Sequence, residues 1–133
     1  MRYLTDRKRA VGKGASGSGT EHFWWMTMSS VALAFLVPVF VFVFGSAIGG
    51  TQAEVIAHFS RPFPAILTGL VTLVGMRHFA KGAQVMLEDY TAGTVRKALV
   101  ITVYSLSYLV TAMVLYALGK MVFMSTAAQM LNQ

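Results

Sequence analysis

Three long apolar runs alternate with short polar intervals along the chain. From His22 to Ala53 there is no Asp, Glu, Lys or Arg, and Met28 to Ile48 alone supplies the run that a bilayer requires. A hydrocarbon layer of ~30 Å needs about 20 such residues in a helix. Trp24 and Trp25 stand where an aromatic belt would mark the start of this span, and Pro38 predicts a kink that neighbouring helices can accommodate. A second run extends from Pro62 to Leu87 but is interrupted by Arg77, His78 and Lys81. A third runs from Ala98 to Met124, with Lys120 near its far end, where a long side chain can snorkel. The interval "GGTQAEVIAHFSRP" reads as a short loop, and "EDYTAGTVRK" as a turn broken at Gly93. These patterns predict an all-α membrane protein with three transmembrane helices over about 24–48, 62–87 and 98–123. Residues 23–133 form that membrane domain, and residues 1–22 precede it as a basic, then Gly/Ser-rich, flexible tail. No internal repeat is visible, which leaves an inverted-repeat transporter without support.

Composition sharpens the picture. The chain has 133 residues, 56% hydrophobic and only 12% charged, whereas soluble domains carry roughly 25% charged residues. So few charges cannot cover a water-facing surface. A chain of this length makes one domain, with no room for a separate soluble catalytic unit, so demanding chemistry must be shared with partners. The net charge is +6, and its placement matters more than its sum. Arg2, Arg7, Lys8, Arg9 and Lys13 all precede the first span. A basic run beside apolar spans fixes orientation rather than binding nucleic acid, so no nucleic-acid partner is expected. The positive-inside rule puts the N-terminus in the cytoplasm (the matrix, were the membrane mitochondrial), the 88–97 turn inside, and the 50–61 loop and C-terminus outside. Arg96 and Lys97 in the inner turn, against Arg61 alone outside, agree. The first apolar segment is too long for a secretory signal and has no evident cleavage site. With no cysteine present, disulfides, Cys-type zinc sites and iron–sulfur ligation by this chain are excluded.

The candidate chemistry lies in the second span. A charge at the centre of a membrane helix costs about 2.5–3.5 kcal/mol on insertion scales, so Arg77 and Lys81 need a reason. Four residues apart, they share a helical face. His78, Gly82, Val85 and Asp89 form a continuous stripe on the adjacent face, and Gly82 leaves a flat surface one turn from the imidazole. Two readings stay open from the residues alone. The glycine and histidine can serve helix packing, or His78 can be an axial ligand of haem iron. In the second reading Arg77 and Lys81 face an anion, such as haem propionates, a quinone oxygen or an acidic partner. Asp89 and Tyr90 fall at the inner interface, ~18 Å along a helix from His78. They read as a solvated turn residue and an interfacial anchor, or as a carboxylate and a phenol at a quinone pocket.

The pattern His78, Gly82, Asp89-Tyr90, in the second of three spans, resembles one of the small hydrophobic membrane anchors of succinate dehydrogenase (respiratory complex II). "EHFWWMTMSSVALAFLVP" is similar to the start of the first helix in bacterial members. The resemblance implies that His78 is one axial ligand of a b-type haem, with the second histidine supplied by a companion membrane anchor. It implies that Tyr90 hydrogen-bonds ubiquinone near the iron–sulfur subunit, with Asp89 beside it. Succinate oxidation itself would lie in a separate flavoprotein subunit. Many relatives carry an arginine just inside the first helix, where this sequence reads Met26-Thr27. Basic contacts to the propionates are therefore expected from Arg77, Lys81 or a partner.

The remaining polar positions change little. His22 is an interfacial residue that can lie near the quinone or a propionate, and His58, in the outer loop, has no assigned role. Tyr104, Tyr108 and Thr111 make one stripe in the third span, suited to interhelical hydrogen bonds. Nine methionines suit packing around a cofactor and plain packing equally. The expected function is thus the anchor subunit of a succinate:ubiquinone oxidoreductase in a bacterial inner membrane. The alternatives are a non-redox scaffold or transporter subunit, or the anchor of a related enzyme such as fumarate reductase.

Overall fold

The structure is a computed structural model that describes residues 4–12, 14 and 19–131. Arg2, Lys13 and most of the Gly/Ser run of the expected tail lie outside the described residues. Five helices follow in order: α1 Asp6–Val11, α2 Gly19–Gly45, α3 Gln52–Phe59, α4 Pro62–Tyr90 and α5 Gly93–Leu131. No strand occurs among the described residues, and α2, α4 and α5 are each long and apolar enough to cross a membrane.

Part of the tail read as flexible is helical. Thr5 caps α1 by accepting from the Lys8 amide at 3.3 Å, and Gly12, at φ 55°, ends it. This short helix is exposed throughout and packs against no other described helix.

The first span begins earlier than the aromatic pair suggests and ends at Gly45, where the chain enters a turn. Helix α2 is apolar all round, as a membrane span should be. Its hydroxyls are satisfied locally: Thr27, Ser29 and Ser30 donate to the carbonyls of Phe23, Trp25 and Met26 at 2.9, 2.8 and 2.7 Å. The helix continues through Pro38, whose missing N–H deprives the Ala34 carbonyl of its intrahelical partner.

The interval expected to be a short outer loop is not a plain loop. Thr51 and Glu54 form a reciprocal capping box that starts α3: the Glu54 amide donates to Thr51 Oγ1 at 3.4 Å, and the Thr51 amide donates to Glu54 Oε2 at 2.7 Å. Thr-x-x-Glu is a legible helix-start signature. These hydrogen bonds, the backbone one foremost, hold the Glu54 carboxyl below its ordinary 4.5. Phe59 is buried and stacks near Phe44 of α2. Ser60 Oγ donates to the Met121 carbonyl at 3.1 Å, which ties the α3–α4 corner to α5.

Pro62 opens α4 at a position where its missing N–H costs nothing. The turn expected over 88–97 is much tighter than its sequence suggests, because only Thr91 and Ala92 separate α4 from α5. Gly93 at φ +60° supplies the reversal, and Arg96 Nε donates to the Thr91 carbonyl at 2.7 Å across it.

Helix α4 lies in the middle, packed against α2 on one flank and α5 on the other, while α2 and α5 do not pack together. The glycines sort by flank. A Cβ on Gly69 would sit 3.4 Å from Leu115 of α5, whereas Cβ atoms on Gly75 and Gly82 would meet Leu33 and Met26 of α2. Such a layer encloses little. Among the described residues the buried apolar side chains are Phe59, Pro64, Leu67, Ala80 and Leu118, and Phe35, Phe42, Tyr116 and Phe123 are open to lipid or to other chains.

Candidate functional site

The α2-facing stripe of α4 reads Gly75, His78, Gly82, one small residue a turn to either side of the imidazole. Small residues let two helix backbones approach closely, and His78 meets α2 in the gap they create. His78 Nδ1 lies 2.8 Å from Ser29 Oγ. Ser29 is 5% exposed, and its hydroxyl also sits 2.8 Å from the Trp25 carbonyl and 3.1 Å from that of Met26. The His78 ring is half-buried, and its Nε2 neither meets a hydrogen-bond partner nor is sealed off among the described residues. One ring nitrogen is therefore held and the other is available. The flat patch at Gly82 is occupied by α2, with Met26 Cε 3.7 Å from where a Cβ would be.

The two cations of α4 diverge. The Arg77 guanidinium lies over the Trp25 ring of α2, 4.6 Å from its centre, while Lys81 Nζ lies 5.8 Å from the centre of Tyr104 on α5. Neither has a carboxylate within ion-pair distance, since the ion pair found among the described residues is Arg9–Asp6 in the tail. A cation–π contact contributes about 0.5–2 kcal/mol, less than the roughly 2.5–3.5 kcal/mol that a mid-membrane charge costs. Each cation thus still favours an anion from outside the chain.

Two spaces flank α4. An open groove of about 690 Å³ between α2 and α4 is lined by Trp24, Trp25, Met28, Ser29, Ala32 and Val74, with Glu21 at its end. That volume is within the roughly 300–1,000 Å³ typical of small-molecule sites. A smaller cavity of about 180 Å³ between α4 and α5 collects Arg77, Tyr104, Ser107, Tyr108 and Thr111. Arg77, whose guanidinium lies over Trp25, therefore also borders the α5 flank of α4. Below it, Tyr104 OH donates to Gln84 Oε1 and Gln84 Nε2 donates to Glu88 Oε1, both at 2.7 Å.

Asp89 and Tyr90 end α4, both exposed, Tyr90 at 85%. Within this chain the structure does not bring them to His78. His22 is half-buried near the start of α2, about 10 Å along that helix from Ser29. His58 is on α3, beyond the opposite end of α2, with its Nε2 buried and unpartnered. No cluster of three or more metal-ligating side chains exists among the described residues.

The sequence does not mark Ser29 and Trp25 as neighbours of His78 and Arg77. A serine inside an apolar run carries no sign of its partner, and this one is 49 residues away in sequence. The Gln84–Glu88 spacing of four is a local signal for the hydrogen bond between them.

Three apolar helices presenting one half-held imidazole and two unneutralised cations define a polytopic membrane subunit with a polar site in its second span. The family described as succinate dehydrogenase/fumarate reductase transmembrane subunit matches residues 1–120. The succinate dehydrogenase hydrophobic membrane anchor subunit of Paracoccus denitrificans is 47% identical over 121 residues, covering 91% of this chain and 94% of the relative. No solved structure gives a significant match. The chain belongs to the succinate dehydrogenase/fumarate reductase transmembrane-subunit family.

Proposed function

We propose that this chain is the membrane anchor of a succinate:ubiquinone oxidoreductase and supplies one axial ligand, His78 Nε2, to a b-type haem. The observation that carries the reading is the asymmetry of the imidazole: Nδ1 is engaged by Ser29 at 2.8 Å, and Nε2 has no partner among the described residues. A bound b-type haem supplies one-electron redox chemistry in the membrane. The donor set fits it, because an iron-ligating histidine engages its second nitrogen in this way. Neither His22 nor His58 is placed to be the second ligand, so a companion anchor provides it. Arg77, on the same flank as the pair, is the first candidate for a propionate contact, and Lys81 the second.

Tyr90 and Asp89 belong to a ubiquinone site completed by partner chains. The phenol donates to a quinone carbonyl and the carboxylate holds a proton nearby. Their exposure in the isolated chain supports this, since a closed pocket there requires the iron–sulfur subunit. A flavoprotein subunit carries succinate oxidation, so this chain anchors and positions without touching succinate. The basic residues before α2 support a reading with the N-terminus in the cytoplasm of a bacterium and the complex in its inner membrane.

The test is co-expression with the companion subunits and reduced-minus-oxidised spectra of the purified complex. His78→Ala is expected to lose the b-type spectrum and most of the haem. A normal spectrum and haem content in that variant would reject the ligand assignment.

A further inference from the structure

The hydrogen bond between α2 and α4 carries more than packing. We infer that Ser29 is a positioning residue for His78, one that fixes the imidazole as its Nδ1–H tautomer and so presents an unprotonated Nε2 to iron. The inference rests on the haem reading and names the residue of this chain that makes it work.

The direction of the bond follows from counting protons. Ser29 Oγ has one hydrogen and three polar neighbours: the Trp25 carbonyl at 2.8 Å, the Met26 carbonyl at 3.1 Å and His78 Nδ1 at 2.8 Å. Carbonyl oxygens can only accept, and two of them lie on one side of the hydroxyl. With its hydrogen directed at Trp25, Ser29 offers a lone pair to Nδ1–H, and neither the hydroxyl nor the ring N–H is left as an unmet donor. In the opposite arrangement Ser29 donates to Nδ1, and the proton moves to Nε2. No acceptor for it exists among the described residues, and an unmet donor in an apolar layer is costly. Burial of Ser29 at 5% exposure keeps water from replacing the bond. Gly75 and Gly82 hold α2 close enough for it to form.

The chemistry of the partner matters too. A hydroxyl accepts the Nδ1 proton without adding charge, where a carboxylate would pull the ring toward imidazolate and strengthen donation to ferric iron. Ser29 therefore sets ring orientation and tautomer while leaving the ligand close to neutral imidazole.

The experiment uses the complete complex, with assembly scored by co-purification of all subunits, and compares Ser29→Thr, Ser29→Val and Ser29→Ala. Thr and Val have nearly the same shape and differ in the hydroxyl. Loss of a ligand's hydrogen-bond partner costs about 10–100-fold in metal affinity, so Val and Ala should show a haem off-rate raised about tenfold or more, and Thr a near-native one. If the lost affinity falls tenfold more heavily on the ferric form, the potential rises by about 59 mV, and the low-spin electron paramagnetic resonance lines should broaden as the ring gains freedom. Equal haem retention, potential and line shape in Thr and Val, with His78→Ala depleted of haem, would overturn the role of Ser29 and leave the ligand assignment standing. Full haem content in His78→Ala would overturn both.

Discussion

The middle of α4 and its C-terminal end carry the two halves of the candidate chemistry, and they are built in opposite ways. At the middle, His78 is half-buried between flanking glycines and engaged by Ser29 of another helix. At the end, Asp89 and Tyr90 project from the last turn with no side-chain hydrogen bond or ion pair among the described residues, Tyr90 being 85% exposed. One region is preorganised within this chain, and the other, on the proposed reading, would become a site only when other chains close over it. Preorganisation by packing and by hydrogen bonds to the ligand is what holds a cofactor geometry. A substrate such as quinone, which must come and go, suits a site formed at a boundary between subunits.

The largest expected effect breaks that comparison outright. His78→Ala should abolish haem retention while succinate oxidation with a soluble dye acceptor persists. Tyr90→Phe should do the reverse, keeping the haem spectrum and lowering quinone reduction by about 10²-fold, the low end of general acid–base contributions. If Tyr90→Phe also strips the haem, the two regions are not separate.

Next in size is the seam that holds the imidazole. Gly82→Leu would drive a side chain into Met26, and overpacking of this kind costs about 1–3 kcal/mol. A thermal-stability scan of the complex should show it, with reduced haem content, whereas Gly82→Ala, whose Cβ has ordinary contact distance, should be close to native.

A smaller effect sharpens the assignment of the cations. Arg77→Leu should weaken haem retention more than Lys81→Leu, because Arg77 stacks on Trp25, on the His78 flank, while Lys81 leans over Tyr104 on the other. Equal effects in a haem-release assay would return both to the same role.

The smallest effect concerns α3. The Glu54 carboxyl is held below its ordinary 4.5 by Thr51, so its support for the helix start is complete above that value. It is lost as pH falls through the lowered one. Hydrogen exchange of the α3 amides should quicken across that acid window, and Glu54→Gln should remove the step.

Much of this is legible in the sequence, and the reason is physical. Hydrocarbon thickness forces long apolar runs, so the three spans can be read from composition alone, although α2 and α5 each begin several residues earlier than hydropathy marks. His78, Asp89 and Tyr90 announce themselves as polar groups where polarity is expensive. Helix α3 is legible as Thr51-x-x-Glu54 but is outweighed by the glycines before it. Ser29 is not legible, because its local bond to the Trp25 carbonyl is what any serine makes inside a membrane helix. Its second partner is a product of tertiary packing. The divergence of Arg77 and Lys81 is hidden similarly, since four-residue spacing puts two side chains on one face but does not say that each leans toward a different neighbour.

The absence of any α2–α5 packing has a mechanical outcome. The layer is joined like a folding screen, with α4 as the central panel and two independent hinges. Parting the α2 panel would break the seam that holds His78 without loosening a single helix-to-helix contact on the α5 side. A defect in one hinge should therefore leave the other closed.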